Sequence, residues 1–301
     1  MNEKSLIERL NIKIEDIPDQ IEVLAVRQFS LDDLDHRIRH LLRVLGENSE
    51  LNLDRGDWIQ KEDCTLIRLY QGARMRIYHP SGAIRLVTGL NPMESIFENM
   101  VEKDQLINLV DEVSEQLNIS EWVGLNDKLV FEHLWQIKAS AADLKGRIID
   151  PILCRVVGTY RHFINRFPIL GPASVAIKLA DGGKLDSLDI LVRESTGEEV
   201  DQVQVIHPEQ AAQKIISLVS GLMGQKGIQE VEGMKPSSFE FGYLSLPKRK
   251  AQQVLAPVYA AGIEIDGELT QAYHVVVPAS DREFMAMCSY GSEANITHQR
   301  V

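Results

Sequence analysis

Apolar side chains recur at spacings of three and four through Leu31, Leu34, Ile38, Leu41, Leu42 and Leu45. That spacing gathers them on one side of a 3.6-residue turn and predicts a helix over 31–45. Ser30 in front, with Asp33 three residues on, is a capping pattern, and Gly46 marks the expected end. Leu106, Leu109, Val110, Val113 and Leu117 predict a second helix over 102–118, and a third is expected over 208–223. Between the helices the period changes to two. "TLIRLYQ" and "RMRIYHPSGAIRLVTG" read as strands, with Pro80-Ser81-Gly82 as a turn. "KLVFEHLWQIK" reads as a further strand and 141–150 as a short helix.

The most regular alternation lies in "GPASVAIKLADGGKLDSLDILVRES", residues 171–195. Glycines that cradle a phosphate stand between a strand and a helix, so that backbone N–H groups point at the ligand. Asp181-Gly182-Gly183 instead joins two alternating runs. It is expected to be a hairpin turn, where glycine supplies the positive φ.

The order of these elements recurs along the chain. The second hairpin matches the first at an offset of 100, which lays Ile177 on Ile77 and Asp181-Gly182 on Ser81-Gly82. The third helix matches the second at an offset of 106, and "FEHLWQIK" is answered by "FEFGYLSL". Pro151 leads by 21 residues to Pro-Ala-Ser at 172–174, and Pro257 leads by 21 to Pro-Ala-Ser at 278–280. The expected fold class is therefore α+β, in two tandem units that are each an antiparallel sheet covered by a helix. An N-terminal segment would span 1–20, the first unit 21–170, the second 171–280 and a tail 281–301.

Composition narrows the function classes. The 301 residues are 44% apolar and 25% charged, a profile of soluble globular chains. A net charge of −12 argues against nucleic acid, because phosphate affinity needs clustered Lys and Arg. The nearest basic cluster, Lys248, Arg249 and Lys250 behind Pro247, reads as a solvated helix start. Cys64, Cys154 and Cys288 are too scattered for a disulfide framework or a zinc site. "MNEKSLIERLNIKIEDIPDQ" has neither the basic nor the apolar region of an export signal. No apolar run approaches the roughly 20 residues of a membrane-spanning helix. As written the chain is expected in the cytoplasm, away from membranes. An exported chain whose signal had been removed would read the same.

Signatures of nucleotide, zinc-protease and serine-hydrolase chemistry are absent. "GLMGQKG" at 221–227 follows a helix and reads as its end. His36 and His40 have metal-ligand spacing, but they sit among Arg37, Arg39 and Arg43, so no metal is expected. Glu98, Glu102, Asp104, Asp111, Glu112 and Glu115 read as a solvated helix face. The densest polar and aromatic cluster is Tyr160, Arg161, His162, Asn165 and Arg166, with Tyr243, Tyr259, Tyr273 and His274 as its later counterpart. Arg161 and Arg166 can clamp a carboxylate, His162 can transfer a proton, and Tyr160 can do likewise. The alternative is a sheet surface on which these residues are cross-strand partners. A small-molecule site would lie here, in the seam between units. Asn295-Ile296-Thr297 is a glycosylation pattern that has meaning only in an exported chain.

"YRHFINRFPILGPASVAIKLADGGKLDSL" resembles the part of PepSY-type modules and thermolysin-family propeptides where a strand leads to a hairpin. "LSLPKRKAQQVLAPVYAAGIEIDGE" is similar to their closing segment. Arg166 or Phe167 stands where the family carries a glycine before its proline. The resemblance implies one helix on a curled antiparallel sheet, without catalytic residues, acting as an inhibitory or regulatory piece. The expectation is a non-catalytic binding protein without cofactor that recognises a partner protein or a small ligand. The alternative is a cofactor-independent isomerase or cyclase, with a pocket between the units and Tyr160, Arg161 or His162 handling the proton. A third expectation is a homodimer formed through open sheet edges.

Overall fold

The computed structural model describes residues 1–48, 57–69, 72–97, 101–124, 127–140, 148, 150–172, 174–225, 234–265, 271–282 and 284. The chain begins with α1 (Glu3–Ile7), β1 (Gln20–Val26), α2 (Leu31–Asn48), β2 (Asp57–Gln60), β3 (Cys64–Arg68), β4 (Arg74–Tyr78) and β5 (Ile84–Val87). Next come α3 (Lys103–Gln116), β6 (Lys128–Ala139), β7 (Ile152–Ile164), β8 (Phe167–Leu170), β9 (Val175–Leu179), β10 (Leu185–Ile190) and β11 (Ser195–Gln204). It continues with α4 (Pro208–Gln225), β12 (Met234–Leu244), β13 (Val254–Leu255), β14 (Pro257–Ile265) and β15 (Gln271–Pro278). This is a sheet-rich α+β fold. Among the described residues no helix is long and apolar enough to cross a membrane.

The leucine stripe makes α2 as the spacing predicts, and Leu34, Ile38, Leu41 and Leu45 are buried. The Ser30 hydroxyl accepts from the Asp33 N–H at 3.1 Å, and the Asp33 carboxylate accepts from the Ser30 N–H at 2.9 Å. The helix does not stop at Gly46 but runs on to Asn48. A glycine inside a helix costs only about 1 kcal/mol, so Gly46 need not end one. Asp181–Gly183 is the expected turn, with Gly182 at φ 68° and Gly183 at φ 73°. Lys248 to Lys250 form a turn and not a helix start; Lys248 lies over the Tyr78 ring, and Arg249 faces Asp63 at 3.6 Å. The expected helix at 141–150 lies outside the described residues except for Ile148 and Asp150. Glu98, Cys288, Asn295 and most of the tail also lie outside them.

The large sheet runs β15-β14-β12-β8-β7-β9-β10-β5-β4-β3-β2, with β6 on the other flank of β7. Neighbours are antiparallel except β12 and β8, which pair in parallel through Tyr243–Ile169 and Leu244–Leu170. A smaller sheet is ordered β11-β1-β13. The sequence pattern assigns the 175–190 hairpin to the head of the second unit. In the structure β10 pairs with β5, placing Leu188 beside Leu86 and Ile190 beside Ile84. Its apolar face enters the first core, where Ile177, Leu179 and Leu188 meet residues of α2 and α3. A second core gathers α1, α4, β1, β8, β12, β14 and β15 around Phe239, Phe241 and Tyr259.

Two stretches share one connectivity. Apart from the short β8, helix α3 is followed by β6, β7 and β9, which pair antiparallel in that order, and α3 packs on β7 and β9. Apart from the two-residue β13, which pairs with β1, helix α4 is followed by β12, β14 and β15 in the same manner, and it packs on β14 and β15. Close packing demands glycine at one point: a Cβ on Gly158 of β7 would run into Val110 Cγ1 of α3.

Buried tyrosines tie strands to their surroundings. Tyr160 donates to Asp111 Oδ1 at 2.8 Å, Tyr243 to the Glu22 carbonyl at 3.1 Å and Tyr259 to the Ile206 carbonyl at 3.0 Å. Burial pushes all three phenols above their ordinary value of 10.0. An acid raised on folding contributes stability that is whole below its unfolded pKa and lost as pH climbs through the folded one. The protein is therefore expected to unfold cooperatively at some pH above 10. The tyrosinate absorbance of these phenols should rise in step with loss of the circular-dichroism signal. Ionisation near pH 10 with the fold intact would show that the phenols are open to solvent.

A cleft where the two cores meet

Alternation along β7 decides what faces where. Tyr160, His162 and Ile164 point to the cores, which leaves Arg161 and Phe163 on the opposite face. Beside them on β6, Val130 pairs with Arg161, and Glu132 sits at a register shift between Phe131 and His133. On β12 the series Phe239, Phe241, Tyr243 is buried, which turns Glu240 outward. Below the short β8 junction, the flank of β12 is covered by the N-terminal segment. Asn11 donates its N–H to the Phe239 carbonyl at 2.9 Å, and its side chain accepts from the Phe241 N–H at 2.9 Å.

These elements enclose a cleft of about 340 Å³. Its charged lining is Glu132, Arg161, Arg166 and Glu240, with Asn11 beside them; Ile12, Val130, Phe163 and Pro168 supply apolar wall. Such a volume lies within the range of small-ligand sites. The exposed strip of β6 leads away from it, with Val130 at 45%, Trp135 at 56% and Ile137 at 43% exposure.

The charges are unevenly satisfied. Arg161 grips Glu132 with Nε at 3.0 Å and Nη2 at 2.9 Å to each carboxylate oxygen. Its Nη1 donates to the carbonyls of Ile169 and Gly171 at 3.0 Å and of Pro172 at 3.4 Å. Glu240, by contrast, has no hydrogen-bond donor or ion-pair partner among the described residues. Burial raises its carboxyl above the usual range; Arg161, His274 and His133 pull it down, and Glu132 pushes it up. Arg166 has Nη2 on the Asp16 carbonyl at 2.8 Å and its guanidinium over the Phe167 ring, with no carboxylate partner among the described residues.

No family model and no curated protein matches the chain. Among solved structures, it is similar to an uncharacterized protein from Eubacterium rectale ATCC 33656, at 13% identity and a TM-score of 0.58. The match covers 91% of this chain and 88% of that one. It speaks for the fold alone.

Of the residues singled out by sequence, Arg161 and Arg166 line the cleft. His274 is exposed on β15, close enough to act on the Glu240 charge. Tyr160 and His162 point away from the cleft. His162 is 0% exposed, with Nε2 at 2.9 Å from Asp127 Oδ2 and Nδ1 without a hydrogen-bond partner among the described residues. Tyr243, Tyr259 and Tyr273 do not face a groove, because their strands turn them into the second core. His40 is engaged by Glu121 at 3.2 Å and Arg43 at 3.1 Å, and His36 is exposed. Among the described residues no group of three His, Cys, Asp or Glu is placed to hold a metal. Glu132 and Glu240 were not singled out by sequence. The Phe-Glu-Phe alternation at 239–241 is the signal that turns Glu240 out.

Proposed function

We propose that this protein acts by binding and not by catalysis, recognising a partner protein or a small ligand at the cleft between its two cores. The observation that carries this reading is the state of the proton-handling candidates. Tyr160 and His162 are sealed against Asp111 and Asp127, and Arg161 is bound to Glu132 and three carbonyls. A group committed to the scaffold and closed to solvent is poorly placed to exchange protons with a substrate. The repeated helix–strand–strand–strand connectivity supports reading the halves as twin α+β units. It also agrees with what the PepSY resemblance implies, one helix on an antiparallel sheet in a module without catalytic residues.

Ligand-observed NMR with a fragment library is expected to return hits that lose saturation transfer when Val130→Arg fills the cleft. Hits indifferent to that substitution, or a fragment converted to product, would overturn the reading. Glu240 favours the second reading, a cofactor-independent isomerase or cyclase, since a half-buried carboxyl of raised pKa is suited to general acid–base work. Turnover abolished by Glu240→Gln would establish that alternative.

A further inference from the structure

We propose that the cleft is a receptor for a zwitterion, a free amino acid with an apolar side chain, its ammonium on Glu240 and its carboxylate toward Arg166. This rests on reading the cleft as a binding site. Four charged side chains line it, and two cancel, because Arg161 and Glu132 form a bidentate pair. The remaining two are of opposite sign and lack ionic partners among the described residues. Among the described residues Glu240 accepts no hydrogen bond, and Arg166 donates to one neutral carbonyl. A simple cation would answer Glu240 and leave Arg166 without a counter-charge; a simple anion would do the reverse. A molecule carrying both charges answers both. Val130, Phe163 and Ile12 then offer apolar contact to its side chain, in a volume large enough for a bulky one.

The probes are L-phenylalanine, L-leucine and L-methionine, with N-acetyl-L-phenylalanine and L-phenylalaninamide removing one charge at a time. In titration by NMR or calorimetry at least one free amino acid is expected to bind. Acetylating the bound amino acid's ammonium, or replacing Glu240→Gln, should weaken binding by about tenfold, the value of a charge-assisted contact. Arg166→Gln should weaken the free amino acid but leave the amide form unchanged. Acetylated ligand binding equally well, or affinity indifferent to both substitutions, would overturn the inference. Fragments in the cleft with no amino acid bound at millimolar concentration would overturn the zwitterion and leave the binding reading intact. If neither enters, both fall.

Glu240→Gln carries its own control for folding. A carboxyl raised on folding contributes stability that is full below its unfolded pKa and lost as pH rises through the folded one. At neutral pH the ionised Glu240 therefore costs stability. The variant is expected to melt higher than wild type at pH 7, with the difference vanishing as pH falls to about 4, where a free carboxyl is protonated. A lower melting point at neutral pH would show a partner for Glu240 and remove the unpaired carboxylate from the argument.

Discussion

Replacing Arg193 by alanine is expected to lower the urea midpoint sharply, at an unchanged m-value, by a loss of about 3 kcal/mol. Arg193 follows β10 and is 2% exposed. Its guanidinium donates to the carbonyls of Lys250 at 2.8 Å, Leu246 at 3.1 Å, Pro247 at 3.3 Å and Pro80 at 3.4 Å. No carboxylate bonds it among the described residues, and burial pulls its pKa down to about 10. It is still charged at neutral pH, so two effects oppose each other. Deleting it returns the desolvation cost of a buried cation. It also takes a charged donor from four carbonyls, of which Pro247 keeps the Lys250 N–H at 2.8 Å and Leu246 the Ser245 hydroxyl at 3.4 Å, and it leaves a cavity where the side chain lay. Each hydrogen bond from a charged donor is worth about 1.5–3 kcal/mol, so the lost bonds together with the cavity outweigh the recovered desolvation. Arg193→Met separates the contributions: it keeps much of the volume, removes the charge and still withdraws the donors. If both variants hold the wild-type midpoint, the 246–250 turn does not depend on the clamp. The alkaline limb gives a sign test. A base depressed on folding makes stability rise with pH above its folded pKa, so Arg193 opposes the buried tyrosines there, one group against three.

The helices and hairpin turns of this fold are written locally, and its sheet order is not. Leu34, Ile38, Leu41 and Leu45 mark α2, and Leu106, Val110 and Val113 mark α3, because a buried helical face must recur at 3.6 residues. Asp181-Gly182-Gly183 announces its turn for an equally local reason. The pairing of β5 with β10 joins residues about a hundred positions apart, and alternation tells only which face of a strand is buried, never which strand lies beside it. Strand β11 is harder still. Its one buried position is Val203, so there is no alternation to find in "STGEEVDQVQ", and pairing with β1 alone makes it a strand. For the cleft, residue type suggested tyrosines, but the phase of the strand governs. Phe239-x-Phe241-x-Tyr243 takes Tyr243 inward and Glu240 outward; Tyr160-x-His162 goes inward and Arg161-x-Phe163 outward. Arg161 and Arg166 were singled out by residue type, as able to clamp a carboxylate; Arg161 lines the cleft through the phase of β7, and Arg166 does so from the turn that follows it. Glu132 owes its place to a register shift in β6 that no residue type announces.

The junction between the two cores gives the other large expected effect, that of Gly242→Ala. A Cβ at Gly242 would run into the carbonyl oxygen of Pro168 and lie 3.0 Å from Leu170 Cγ and 3.1 Å from Pro168 Cγ. At Gly158 the nearest atoms belong to the side chain of Val110. At Gly242 the nearest is backbone. The Pro168 peptide cannot swing aside freely, since β8 is held in the hairpin with β7 through Phe163–Pro168 and Ile164–Phe167. Relief must come from moving β12 away from β8. That contact has two paired positions, Tyr243–Ile169 and Leu244–Leu170, and through it the large sheet passes from one core to the other. Overpacking of this kind costs about 3 kcal/mol, a loss expected in the urea midpoint. The same shift reaches the cleft, because Pro168 and Phe241 line it and Glu240 rides on the displaced strand. Gly242→Ala should therefore weaken cleft ligands even under conditions where the variant is fully folded. Gly158→Ala should destabilise by a smaller amount and leave those ligands unaffected, because Val110 and α3 lie on the far side of β7 from Arg161. Equal effects of the two substitutions on binding would mean that the cleft responds to general loss of stability, and that the approach of β12 to β8 does not set its shape.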